Sequence, residues 1–205
     1  MKKILLISIA FFVTAVAFTQ EQKLISDCTI TYAVVSLNGG QQTNIGSKTI
    51  YIKGKAMRID LESNTFNQTV FYDDNTGGAT VLKVVGESKY ISSYNAAEWK
   101  KENSRYEDVI VSLSGNTRQI LGYNCKQAMV TLKNNNIYIV YYIPALTTSV
   151  MESPFERKNI PGIVLAYESA VNQNEKILYS AKNIDFTPVP SYKFEVPKSG
   201  YRILH

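Results

Sequence analysis

The stretch Cys28-Thr29-Ile30-Thr31-Tyr32-Ala33-Val34 decides the fold class, because its apolar and small polar residues alternate. In an extended chain, Ile30, Tyr32 and Val34 fall on one face, and the threonines and Ala33 fall on the other. This period of two is typical of a half-buried β-strand. The same alternation continues on both sides of a Gly54-Lys55 turn, in Lys48-Thr49-Ile50-Tyr51-Ile52-Lys53 and Met57-Arg58-Ile59-Asp60-Leu61.

Short segments rich in β-branched residues and tyrosine follow along the rest of the chain, separated by clusters of Asn, Asp and Gly. Such segments are typical of antiparallel strands joined by hairpins. We predict further strands at 68–72, 80–85, 89–92, 125–132, 137–142, 162–168, 176–185 and 192–196, with turns at 73–78, 134–136 and 172–174. About ten strands in one sheet normally curl, so the fold class is mainly β, with a single strongly curved antiparallel sheet or half-barrel.

Two segments break the strand pattern and are predicted to cover the concave face of the sheet. Residues 94–103 contain good helix formers, with Trp99 on an apolar stripe. Residues 145–157 have the composition of a loop with one helical turn. One or two short helices or loops would therefore lie over the sheet, above either a filled core or a cavity.

The N-terminus has the composition of an export signal: two lysines precede an uncharged apolar run that ends in small residues. We predict a signal peptide at residues 1–19 and a single domain at residues 20–205, with cleavage after Ala17 as the alternative. A lipidated cysteine would need small residues before it, whereas Asp27 precedes Cys28. A periplasmic or secreted protein that is not a lipoprotein is expected.

Several kinds of chemistry are not supported by the composition. The net charge of +5 includes no dense basic run, which argues against nucleic acid, and no later apolar run reaches the roughly 18 residues of a membrane-spanning helix. The only histidine is His205, so neither a catalytic triad nor a histidine-rich metal site is predicted. We also find no phosphate-binding loop and no dinucleotide fingerprint. We therefore predict no catalytic residues, no metal and no cofactor.

The two cysteines, Cys28 and Cys125, leave two alternatives open. An exported chain with an even number of cysteines favours a disulfide between them. Strict alternation, however, places Cys125 on the face opposite to Ala128 and Val130, so a bridge would need a bulge nearby. Without a bridge, both thiols are expected to be small packing residues.

The C-terminal half resembles the GLPGLI family, small exported proteins of Gram-negative bacteria. The resemblance follows the order of four stretches: Thr117-Arg118-Gln119-Ile120-Leu121-Gly122-Tyr123-Asn124-Cys125-Lys126-Gln127-Ala128, Tyr141-Tyr142, Asn159-Ile160-Pro161-Gly162-Ile163-Val164-Leu165, and Phe194-Glu195-Val196-Pro197-Lys198-Ser199-Gly200-Tyr201. The motif that names the family falls on residues 159–164, where Asn159 replaces a glycine and Ile163 replaces a leucine. The chain is thus similar to a divergent member.

This resemblance implies a fold similar to the LolA and LolB lipoprotein carriers, whose concave apolar face holds acyl chains. The expected function is a non-enzymatic periplasmic protein that binds a hydrophobic or lipidic ligand, or a lipidated partner, in the concavity. An envelope accessory protein acting through protein contacts is the alternative, and a hydrolase ranks third. Candidate cavity or gate residues are Trp99, Phe155, Ile160, Pro161, Gly162 and Ile163. Pro161-Gly162 is equally well explained as a turn before a strand.

Overall fold

The computed structural model describes residues 21–171 and 175–204, so the predicted signal peptide, the 172–174 turn and His205 lie outside the described residues. The described part is mainly β, with one α-helix, α1 (Ala96–Glu102), and 3₁₀ turns at Ser104–Tyr106 and Ser191–Phe194. The strands are β1 (Lys23–Ile25), β2 (Asp27–Asn38), β3 (Gln41–Lys53), β4 (Ala56–Ser63), β5 (Asn67–Asp73), β6 (Gly78–Val85), β7 (Ser88–Tyr94), β8 (Ile110–Ile120), β9 (Tyr123–Thr131), β10 (Ile137–Ile143), β11 (Leu146–Thr148), β12 (Ile163–Ala170), β13 (Glu175–Asp185) and β14 (Arg202–Ile203).

Twelve of these strands form one open sheet in the order β14-β7-β6-β5-β4-β3-β2-β13-β12-β10-β9-β8. All neighbours in it are antiparallel except β14 and β7, which are parallel. The expectation of a purely antiparallel sheet is therefore wrong at this edge. The reason is the long connection from β7, through α1 and the other half of the sheet, because a crossover can return a strand in the parallel direction where a hairpin cannot. A second parallel pair, β1 with β11, forms a separate two-stranded sheet.

The alternation that predicts strand β2 sets the buried face of the sheet. Ile30, Tyr32 and Val34 are all buried, as their alternation predicts. In register across β3 and β4, Ile30 lies beside Ile50, and Ile50 lies beside Ile59. These rows continue the apolar core from strand to strand, and we call this side the concave face.

Helix α1 lies inside the segment predicted to be helical. Asn95 caps it: its side chain accepts hydrogen bonds from the Ala97 and Glu98 amides, and the Glu98 carboxylate accepts one from the Asn95 amide. This reciprocal capping box compensates for the short length of the helix. The ring of Trp99 packs against Tyr94 at the end of β7, with ring centroids 5.6 Å apart.

One predicted strand is absent from the structure, and one long strand of the structure was not predicted. Residues 192–196 are not a strand: Ser191–Phe194 is a 3₁₀ turn preceded by Pro190. Prolines at 188, 190 and 197 lack the amide hydrogens that a sheet ladder needs, which explains the error. Strand β8 was not predicted, because most of its side chains are exposed and carry no alternation.

The two cysteines are buried and unpaired in the structure. Cys28 lies on β2 and Cys125 on β9, and strands β13, β12 and β10 separate them in the sheet. Neighbouring strands are about 4.8 Å apart, so four steps along the sheet correspond to about 19 Å. The Cα atoms of bridged cysteines lie within about 7 Å. The packing alternative, not the disulfide, is what the structure contains.

Candidate functional site

A cavity of about 270 Å³ lies between the concave face, α1 and the loop before β12; we call it the main cavity. It is lined by Lys48, Met57, Ile59, Leu61, Gln68, Val70, Tyr72, Trp99, Asn103, Arg105, Tyr106, Glu152, Ser153, Pro154, Phe155, Glu156, Arg157, Tyr167, Ser169 and Tyr179. These residues include side chains from both β5 and β12, which are five strand steps apart. A single cavity can touch both strands only because the sheet bends around it.

One part of the main cavity is apolar. Met57 and Ile59 of β4 and Val70 and Tyr72 of β5 lie in register, with Met57 beside Tyr72 and Ile59 beside Val70. Trp99 and Phe155, both half-buried, line the same cavity from α1 and from the loop. The arrangement can bury an apolar chain between sheet and cover.

The other part of the main cavity holds three buried charged groups, which we call the charged cluster: Lys48, Glu152 and Arg157. The Lys48 ammonium donates to Glu152 Oε1 at 2.7 Å, and Arg157 Nη2 donates to the same oxygen at 2.9 Å. All three side chains are at least nine-tenths buried. A buried charge without a partner is strongly destabilising, so the Glu152 carboxylate stabilises the fold by pairing with both cations.

Tyrosines surround the charged cluster. Lys48 Nζ also donates to the Tyr167 hydroxyl at 2.7 Å, and the Arg157 guanidinium lies 4.1 Å from the Tyr167 ring centroid. The Tyr167 ring stacks on Tyr179 with centroids 4.3 Å apart. The Tyr32 hydroxyl donates to the Val164 carbonyl at 2.7 Å. The rings make cation–π contacts with Lys48 and Arg157 and form an apolar wall around the charged cluster.

The surroundings set the charge states in the cluster. Burial alone would raise the pKa of Glu152, but Arg157 and Lys48 outweigh it and hold that pKa below its ordinary value. Burial, with the nearby Glu152 charge, raises the pKa of Tyr32 well above its ordinary value. Burial likewise raises the pKa of Tyr167. Glu152 is therefore ionised and the tyrosines are neutral at pH 7, which suits binding more than proton transfer.

A second carboxylate, Glu156, lies near the cluster, with Oε2 3.8 Å from Arg157 Nη2. A convergent carboxylate pair would favour acid–base catalysis if one member kept its proton. Glu152 does not, because its two cationic partners favour the carboxylate. Within the described residues, no group of three or more His, Cys, Asp or Glu side chains could hold a metal ion. No helix in the described ranges is long and apolar enough to cross a membrane.

The loop that carries Glu152 and Arg157 is fastened at both ends. Strand β1 pairs with β11, which precedes the loop, and the Gln22 side chain donates to the carbonyls of Pro144 at 2.8 Å and Pro161 at 2.9 Å. Gly162, at the far end, has φ +155°. A Cβ there would lie 2.1 Å from the Ile143 carbonyl oxygen, so only glycine allows this close approach.

The six candidate cavity or gate residues do not line one common space. Trp99 and Phe155 line the main cavity. Ile160, Gly162 and Ile163 instead line a second space of about 50 Å³, the small cavity. Pro161 is exposed and lines neither.

Ile160 and Ile163 are buried members of the core, and Gly162 is packed on β10. The geometry of 159–164 is therefore that of a fastened turn before a strand.

The charged cluster was missed by the sequence reasoning, although Lys48 gave a signal. It occupies an inward position of β3, in phase with Ile50 and Ile52, where a lysine is rarely buried without a partner. The sequence around Glu152 and Arg157 carries no such signal, because a loop has no periodic pattern that shows which side chains turn inward.

Comparison with solved structures finds similarity at low sequence identity. The structure of PNGF-II in the C2 space group has a TM-score of 0.52 and 13% identity, over 86% of this chain and 30% of that one. MucB has a TM-score of 0.43 and 11% identity, over 84% of this chain and 58% of MucB. A LolA superfamily protein from Nitrosomonas europaea has a TM-score of 0.35 and 8% identity, over 87% and 92% of the two chains.

The chain thus spans less than two thirds of the first structures that it resembles. No family model and no curated protein sequence matches it. The GLPGLI relationship stays a prediction, and what the comparisons show is the fold alone: a mainly β chain built on one large open sheet.

Proposed function

We propose that this chain is a non-enzymatic binding protein that buries a small apolar chain in the main cavity. One observation carries the proposal: four apolar side chains of β4 and β5 line the same cavity as Trp99 and Phe155. Removing apolar ligand surface from water contributes about 0.8 kcal/mol per methylene. The proposed location is the bacterial periplasm or the exterior, supported by the export-like composition of residues 1–19.

The volume of the main cavity limits the ligand. At about 270 Å³, it lies just under the usual range of ligand pockets, roughly 300–1,000 Å³. A water-sized atom occupies about 30 Å³ of liquid, so about nine non-hydrogen atoms fit. The ligand would be one short chain, or the end of a longer acyl chain presented by a lipidated partner. A whole diacyl lipid would not fit.

The test uses the only tryptophan of the chain, Trp99, as a reporter, because it lines the main cavity. Titration of the protein with 1-octanol is expected to change Trp99 fluorescence saturably. Ile59→Phe should fill the cavity and weaken octanol binding at least about tenfold. The matched control is Ile137→Phe, at a side chain that is 58% exposed outside the cavity. Unchanged fluorescence in the native protein, or equal binding by Ile59→Phe, would contradict the proposal.

A second candidate function, contact with another envelope protein, is favoured by the free edge of the sheet. Strand β8 is paired only with β9, and Ile110 and Leu113 on it are 62% and 59% exposed. Met129 on the neighbouring β9 and Ile137 on β10, one strand further into the sheet, are also exposed. An apolar edge strand can accept a strand from a partner. Loss of co-purification of an envelope protein in Leu113→Lys, with octanol binding absent, would support this function instead.

A further inference from the structure

The buried charges of the main cavity balance one another. Lys48 and Arg157 carry two positive charges, and Glu152 and Glu156 carry two negative charges. Each of these four side chains is at most 10% exposed, and all of them are joined through ion pairs. An ionic ligand beside them would be a buried charge without a partner, which is strongly unfavourable.

The cations at the edge of the main cavity do not change this balance. Arg105 lines the cavity but is exposed. Lys83, which lies beside Gln68 in register from β6, is exposed as well. Water and salt screen exposed charges, so neither cation offers the strong attraction that a buried anion needs. The charges of the site therefore favour a ligand without net charge.

One uncharged polar side chain interrupts the apolar wall that β4 and β5 form in the main cavity. Gln68, Val70 and Tyr72 of β5 all line the cavity, and Gln68 is the one amide among them. Gln68 is half-buried, and its side chain makes no hydrogen bond to another described residue. Its amide nitrogen can donate to a ligand and its oxygen can accept from one.

The register of the sheet places Gln68 at one end of the apolar wall. Gln68 lies beside Leu61 of β4, and Leu61 lies beside Lys48 of β3. Met57 and Tyr72, which are also in register, lie four residues further along β4 and β5, or about 13 Å away. Gln68 is therefore placed to meet one end of a chain that lies along the wall.

We infer that the ligand of the main cavity is a single alkyl chain with an uncharged hydrogen-bonding end, a hydroxyl or an amide, and that Gln68 binds this end. The chain lies along Ile59 and Val70, with its far end toward Met57 and Tyr72. This inference rests on the proposed function, because it assigns the chemical class of the same ligand. An apolar lining with few placed polar groups is typical of small-molecule sites.

The experiment compares two pairs of probes of matched shape at pH 7, each titrated against Trp99 fluorescence. Heptanamide and heptanoate differ in negative charge, and 1-octanol and octylammonium differ in positive charge. The uncharged member of each pair is expected to bind at least about tenfold more tightly, because the charged member would be buried without a partner. A smaller preference in either pair would overturn the inference and leave the proposed function standing. Binding of none of the four would overturn both.

Two substitutions examine the role of Gln68. Gln68→Lys supplies a positive charge at the polar end of the ligand, so it should bind heptanoate at least as tightly as heptanamide. Gln68→Leu removes the hydrogen bond and should weaken octanol binding several-fold. The matched controls, Gln42→Lys and Gln42→Leu, change an exposed side chain of β3 outside the cavity and should keep the native affinities.

The two variants fail in different ways if Gln68 does not bind the ligand. A native preference for heptanamide in folded Gln68→Lys would overturn the assignment of the polar end to Gln68. Native octanol affinity in Gln68→Leu would overturn it as well, because the hydroxyl would then have no need of the amide.

Discussion

Gly162 shows at the scale of one residue how a motif can be explained without a ligand. Its backbone, at φ +155°, passes so close to β10 that a Cβ would lie 2.1 Å from the Ile143 carbonyl oxygen and 2.9 Å from the Tyr142 ring. The Gln22 side chain holds the Pro161 carbonyl beside it. The Pro161-Gly162 pair thus fixes the entry into β12 and the end of the loop that carries Arg157.

The first prediction concerns this close approach. Gly162→Ala is expected to lower the free energy of unfolding by more than about 1 kcal/mol, because a methyl group would collide with backbone atoms that cannot move aside. The matched control is Gly115→Ala, where a Cβ meets nothing within 4 Å; its change should stay within about 0.5 kcal/mol. Urea denaturation of both variants measures the difference. Equal stabilities would show that β10 and the loop can move apart.

The second prediction concerns the Glu152 carboxylate, on which Lys48 and Arg157 converge. Glu152→Gln is expected to destabilise the protein by about 3 kcal/mol at pH 7, because it leaves two buried cations without a carboxylate. Because the pKa of Glu152 is lowered in the folded state, its contribution is complete above the ordinary glutamate value of about 4.3. This stabilising contribution is lost as the pH falls through the lowered pKa of Glu152, because the carboxylate is then protonated.

Denaturation curves between pH 3 and pH 7 provide the measurement. The stability difference between the native protein and Glu152→Gln should narrow on acidification. Glu168→Gln removes a carboxylate from the more exposed Lys176–Glu168 pair and should cost at most about 0.5 kcal/mol at any of these pH values. A difference for Glu152→Gln that widens toward pH 3 would show that the carboxylate is not the charged partner of the cluster.

At the scale of the elements, the success of the sequence prediction depended on alternation. Strands β2, β3 and β4 were predicted because one face of each is apolar, and the helical segment because its residues favour helix. Strand β8 carries exposed side chains on both faces, so its sequence shows no alternation of apolar and polar residues from which a strand could be predicted. Strands β1, β11 and β14 have only two or three residues, and tertiary context alone creates them.

The candidate site was less accessible to prediction for a related reason. Which side chains a long loop turns inward depends on how its ends are fastened, and here β1, Gln22 and Gly162 fasten them. None of those contacts has a periodic pattern. Trp99 was proposed from the apolar stripe of its helical segment and Phe155 from its place beside the 159–164 motif, and both line the main cavity. Lys48 could have been found from its inward phase on β3.

The third prediction concerns α1, whose seven residues are too few to be stable alone. Asn95→Ala removes the side-chain acceptor of the Ala97 and Glu98 amides and should destabilise the protein by about 1 kcal/mol. Asn95→Asp keeps an acceptor at the cap and should be close to the native protein. Thermal unfolding, followed by circular dichroism, compares them. Equal loss in both variants would mean that the amide, and not the cap, is what α1 needs.

At the scale of the whole molecule, the order of strands brings distant parts of the chain together and keeps others apart. Strand β2 pairs with β13, so the N-terminal and C-terminal halves share one continuous sheet. Their shared concave face carries the charged cluster, with Lys48 from the first half and Glu152 and Arg157 from the second. The cluster therefore exists only when both halves are folded, and it joins them as well as lining the main cavity.

The same strand order predicts that Cys28 and Cys125 stay as thiols in protein purified without reductant, because three strands lie between them. In the native protein, neither thiol should react appreciably with a thiol reagent, because both cysteines have 0% exposure. Burial also raises the pKa of Cys28 to about 12 and that of Cys125 to about 11, so both stay protonated. After unfolding in guanidinium, both cysteines should react, and the reagent should count two thiols per chain. Absence of thiols after unfolding would mean that the cysteines are bridged, and the sheet order around β2 and β9 would then have to differ.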